Sequence, residues 1–150
     1  MTLKTLQMEK CKKKSILKTK EVKFTSSNGG VDCIAKYIVP FESTLTWAKN
    51  FAIETKLRKE FHQIGDIKNY GEGLILEIQT RACPKYLDKF NWEKGKKVAL
   101  AKANIVVCKV VRRYISLYKK YLMRDVELIN KLEDFCPYFI DREFKYLNNV

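Results

Sequence analysis

From Lys96 to Cys136 the chain runs for 41 residues without a glycine or a proline. With no turn-former to interrupt it, such a stretch has one regular way to fold, as helix. Its apolar residues agree. Ala103, Val107, Val110, Tyr114, Tyr118 and Tyr121 recur at helical spacing, with Leu100, Val111 and Leu122 widening the track. Lys102, Lys109, Arg113, Lys120 and Arg124 follow i, i+7, i+11, i+18 and i+22 and fall in a narrow stripe away from it. The pattern predicts an amphipathic helix with a basic outer face. The apolar track stays in phase through Leu128, Leu132 and Phe135. As one rod the segment would be about 60 Å long, against a radius of gyration of about 15 Å for a compact domain of this size. It therefore either breaks, with the sign change at Arg124-Asp125 as the natural place, or packs against another chain. Pro137 is expected to end it, with a short helix over 138–147 beyond.

The charge is local. Of the net +13, residues 1–23 contribute +6 and residues 81–124 contribute +11, while 24–80 carry −1 and 125–150 carry −3. An AT-rich genome inflates lysine everywhere; it does not segregate it. Two basic zones stand out: the run Lys12-Lys13-Lys14, and the helix with Lys94, Lys96 and Lys97 in its first turn, then Lys102, Lys109, Arg112, Arg113, Lys120 and Arg124. The dipole at a helix N-terminus already favours anions, so lysines there point to a negatively charged partner. These residues are the candidate partner-binding set, with phosphates as the natural ligands.

The rest of the chain supplies a scaffold. Residues 1–20 read as a basic flexible arm and 21–150 as one α+β domain. Val22 and Phe24 open a hairpin turned by Ser26-Ser27-Asn28-Gly29-Gly30, where Asn-Gly signals a type I′ turn, and Pro40 stops the return strand. Ser43 can cap a helix over 43–64 whose apolar arc includes Trp47 and Phe51, read as core residues in preference to a base-stacking platform. Gly65 to Gly73 reads as a loop and Leu74 to Ala82 as a strand ended by Cys83-Pro84. The expected fold is α+β: a small antiparallel sheet of about three strands packed on helices, with a long basic helix in the C-terminal half.

Chemistry is sparse. Cys11, Cys33, Cys83, Cys108 and Cys136 form no CxxC pair and His62 is the one histidine, so no metal site or cofactor is expected and the thiols read as free and mostly buried. Asp66 with Glu77-Ile78-Gln79 approaches the paired carboxylates of metal-dependent nucleases, but Gln79 stands where the lysine belongs. The chain is not expected to be an enzyme.

Two resemblances bear on function. Cys83-Pro84, Asp88-Lys89-Phe90, Gly95 and Val98-Ala99-Leu100-Ala101-Lys102-Ala103 together resemble a stretch in small proteins of phages and mobile elements from low-GC bacteria. That resemblance implies a phage-type accessory protein in a bacterial cytoplasm, and some such proteins inhibit host defence, CRISPR effectors included. Lys96-Lys97 before Ala99, Ala101 and Ala103 is also similar to the last helix of double-stranded-RNA-binding domains, whose first turn carries lysines that touch phosphates. The family's first helix is missing here, and 43–64 interrupts the strands. The expected function is a non-enzymatic binder of RNA, DNA or a nucleic-acid-containing complex. The alternative is an anti-CRISPR-like inhibitor that occludes the nucleic-acid or guide-RNA surface of a host nuclease. A homodimer through the C-terminal helix is a further partner, and no membrane is expected, because no apolar run approaches the ~18–20 residues needed to span one.

Overall fold

A computed structural model describes residues 17–70, 73–84 and 89–150. They form two compact units, one ending at Val111 and one comprising Arg112–Val150. The elements are β1 (Lys18–Ser27), β2 (Gly30–Val39), α1 (Trp47–Glu60), β3 (Ile64–Tyr70), β4 (Gly73–Ala82) and α2 (Trp92–Asn148).

In the first unit four strands make one antiparallel sheet in the order β1-β2-β4-β3. The β1–β2 hairpin closes on Asn28 and Gly29, with φ of 48° and 74°. Two consecutive positive values are what a type I′ turn demands, and Asn-Gly tolerates them best. Strand period does the rest. Val31, Cys33, Ala35, Tyr37 and Val39 of β2 are buried, and their β4 partners on the same face include Leu76, Ile78 and Ala82. The intervening residues form the other face. There Glu21 meets Lys23 and Lys36 at 3.1 and 3.8 Å, and Asp32 meets Arg81 at 2.9 Å. Ser27 donates to Asp32 at 2.6 Å; that bond first, and Arg81 second, hold the Asp32 carboxyl below its usual range. Arg81 also donates to the Ser27 carbonyl, so β4 grips the hairpin turn.

The sheet has four strands, where three were expected. The segment read as a loop from Gly65 is β3, and its register shifts between Ile64 and Asp66. That irregularity breaks the in-out alternation by which a strand is recognised. The basic arm was drawn to residue 20, yet Lys18 and Thr19 already pair with Ile38 and Tyr37 in β1. Helix α1 is shorter than 43–64. Thr46 caps it, accepting from Lys49 N, while Ser43 donates to Asn50 Oδ1. Trp47 and Phe51 are not core: they are 79% and 55% exposed and stack on each other. Ile53 and Leu57 are the buried residues of α1. One narrow i, i+4 track suffices where the helix borders edge strand β3, and the aromatics fall on another side.

Helix α2 is continuous for 57 residues. It neither breaks at Arg124-Asp125 nor ends at Pro137. Proline at 137 forfeits one N–H, the donor to the carbonyl of Glu133. Both residues are exposed, so water can take that carbonyl. In the second unit Tyr114, Leu117 and Tyr118 are buried, and Tyr114 stacks with Tyr118 at 6.3 Å. From Leu122 onward every large apolar side chain is exposed.

Leu57→Ala should cost about 2–5 kcal/mol in urea unfolding, the penalty of a buried large-to-small change. Trp47→Ala should stay within about 0.5 kcal/mol, as a surface change does. Equal losses would return Trp47 to the core.

Candidate nucleic-acid interface

The basic helix is seated by small residues. Asn91 caps it, its Oδ1 accepting from Lys94 N at 3.1 Å. At Gly95 the sheet comes so close that a Cβ would sit 2.5 Å from Val31 Cγ2. Ala99 and Ala103, both fully buried, continue that close approach. Two bonds from the sheet then fix the helix. Thr80 Oγ1 donates to the Ala99 carbonyl at 2.7 Å, and Tyr37 Oη donates to Asn104 Oδ1 at 2.7 Å. Burial pushes the Tyr37 phenol up to about 12. With rotation fixed, the lysines between these anchors have nowhere to go but outward.

The sequence-predicted residues fare differently. In the first unit Lys94, Lys97 and Lys109 are exposed, and no described carboxylate pairs with them. Lys102 is exposed too, but its ammonium donates to the Arg81 carbonyl at 3.0 Å. Lys96 is not part of a free surface: it is half-buried, pairs with Glu93 at 3.1 Å and lies over the Trp92 ring. At 100° per residue, Lys102 and Lys109 lie about 60–80° round the helix from Ala99, and Lys94 and Lys97 about 140–160°. All four lie to the same side, so the bases spread over one arc of about 140° of the helix. In the second unit Arg112 and Lys120 are exposed, Arg113 is half-buried and engaged, and Arg124 lies 5.7 Å over the Tyr121 ring. Lys12, Lys13 and Lys14 lie outside the described residues.

Sequence reasoning missed one group and ranked another wrongly. Lys119 is exposed beside Lys120, and Lys89 joins Lys94 on the lining of a cleft of about 260 Å³ that also includes Phe90, Asn91 and Val98. Both lysines fall outside the i, i+7 stripe, so a one-stripe reading passed over them. The other is the exposed Trp47–Phe51 stack, 5.4 Å between centroids, which borders a hollow with Asn50, Lys68 and Asn69. An open aromatic face of this kind can carry an unpaired base. Its exposure could not be read from an apolar arc alone.

The acidic residues contrast with the bases. Glu21, Asp32, Asp66 and Glu93 each have a cation within 4 Å. From Lys94 to Arg124 the chain has no Asp or Glu at all. Asp66 and Glu77 are cross-strand neighbours, but Arg58 and Lys68 hold Asp66. Among the described residues no three His, Cys, Asp or Glu gather as a metal site. Cys11 lies outside the described residues, and the described thiols are not mostly buried. Cys33 is, but Cys83, Cys108 and Cys136 are exposed, because they sit at a strand end and on outward helix positions. No helix among the described residues is long and apolar enough to cross a membrane. Comparison with protein-family models, with curated proteins and with solved structures gives no match to this chain.

The Tyr37–Asn104 anchor should be pH-dependent. A phenol whose folded pKa is raised contributes its full stability below the unfolded value near 10, and loses it as pH climbs towards 12. Wild type should exceed Tyr37→Phe by about 0.5–1.5 kcal/mol at neutral pH, the worth of one hydrogen bond. That gap should shrink in unfolding experiments run above pH ~10. A constant gap would contradict the assignment.

Proposed function

We propose that the chain is a non-enzymatic binder of nucleic acid, or of a complex that contains it, through the exposed bases of α2. One observation carries this reading: ten basic residues between Lys94 and Arg124 with no carboxylate among them. Elsewhere in the first unit Glu21, Asp32 and Asp66 each have a cation within 4 Å. A row of ammonium and guanidinium groups with no acid interspersed, three of them (Lys94, Lys97 and Lys109) exposed, is suited to a polyanion, whose condensed counterions it displaces. Nothing in the set indicates base-specific readout, so recognition is expected to rest on backbone and shape. The exposed Trp47–Phe51 stack adds a face on which an unpaired base can lie. The phage-type accessory role rests on the resemblance of 83–103 alone.

The test is anisotropy titration with labelled RNA and DNA, single- and double-stranded, from about 50 to 200 mM salt. Lys94→Glu/Lys97→Glu/Lys109→Glu is the informative variant, because none of the three side chains holds the fold together. Wild type should bind with a steep salt slope. The variant should lose at least about tenfold in affinity, and its slope should flatten by about 2–3 units, close to 0.9 per lost phosphate contact. Weak, salt-insensitive binding by the wild type would overturn the proposal and leave a protein-directed inhibitor as the reading to pursue.

A further inference from the structure

Beyond Tyr121 the second unit turns an ordered apolar row outward. Leu128, Leu132, Phe135 and Phe139 are 58, 54, 52 and 39% exposed. They belong to a longer series at alternating spacings of four and three: Tyr121, Asp125, Leu128, Leu132, Phe135, Phe139, Arg142 and Tyr146. That is the seam of a two-stranded coil. Pro137, the one residue hostile to the helix, lies outside it.

Only two members of the seam are charged. Asp125 and Arg142 have opposite signs, and they stand equally far from the midpoint between Glu133 and Asp134. We infer that this face pairs antiparallel with the same face of a second copy. In that arrangement each first seam position meets a second seam position of the copy. Leu132 then lies opposite Phe135, Leu128 opposite Phe139, Asp125 opposite Arg142 and Tyr121 opposite Tyr146. Apolar meets apolar in every layer but one, and that one joins opposite charges. Ile129 and Cys136 face one another along one flank. A parallel pair would set Asp125 against Asp125 and Arg142 against Arg142, burying like charges twice.

Charge argues against nucleic acid and an anionic membrane as the occupant. Residues 125–150 carry net −3, which repels a phosphate backbone and an anionic membrane surface alike. Area is adequate: half-exposed leucine, isoleucine and phenylalanine side chains along the seam offer several hundred Å² per copy, on the order of the ~800 Å² per partner of a specific interface. In the isolated chain Arg142 lies 4.9 Å over the Phe139 ring and bonds Glu143 at 3.2 Å, within reach of the seam it would complete.

The experiment is sedimentation velocity on the full chain, freed of nucleic acid, from about 1 to 100 µM, since self-association is read from concentration dependence. Wild type should sediment at twice the chain mass. Asp125→Arg and Arg142→Asp should each weaken the dimer by at least tenfold. The double exchange Asp125→Arg/Arg142→Asp should restore it, because the opposite charges still meet. Leu132→Glu should give a monomer whose far-UV circular dichroism still shows the folded first unit. A wild type that stays monomeric throughout would overturn the inference. So would single variants that dimerise normally, or a double variant without rescue, as a parallel pair requires. Because nucleic acid is absent, the outcome is independent of the binding proposal above.

Discussion

The first unit depends on how closely one helix can lie on one sheet. Gly95, Ala99 and Ala103 bring the backbone of α2 down onto β2 and β4, and a methyl group at 95 would already collide with Val31. Small residues remove little apolar area from water by themselves. What they gain is proximity, which lets Thr80 reach the Ala99 carbonyl and Tyr37 reach Asn104. No buried side-chain nitrogen or oxygen among the described residues is left without a partner. The helix is thus pinned in rotation, and the placement of its lysines is a consequence of packing.

That order of cause explains the surface. On the open face of the sheet, acids and bases are interleaved and neutralise one another across strands. On the helix no acid follows Glu93 until Asp125. Like charges along a helix cost stability. The buried track beneath must offset that cost, and Val107, Val110 and Tyr114 supply it at full burial. The same helix then changes character. Past Tyr121 its bases are diluted by acids and its apolar row is exposed, so one element carries two chemically different surfaces.

Much of this was legible in the residues. The Asn-Gly turn, the β2 and β4 alternation and the buried positions of α2 from Ala103 to Tyr118 follow from spacing alone, because each depends on a local period. What escaped depends on context. β3 hid behind a register shift at Gly65. Trp47 and Phe51 looked like core because composition cannot say which arc of a weakly amphipathic helix finds a sheet. Pro137 looked like a stop because its intrinsic penalty is large, yet one lost bond in a long exposed helix is tolerable. Among the candidate bases, Lys96 and Lys102 were placed in the partner-binding set. Their partners, Glu93 with the Trp92 ring and the Arg81 carbonyl, become visible only once the helix is placed.

Packing presents one set of bases, and in the function proposed above this set meets the polyanion. Lysine acetylation footprinting, read by mass spectrometry with and without a bound RNA duplex, tests it most directly. Lys94, Lys97 and Lys109 should be protected on binding, while Lys23, Lys36 and Lys68 on the sheet should react as before. Protection of the sheet lysines with the helix lysines unchanged would contradict it.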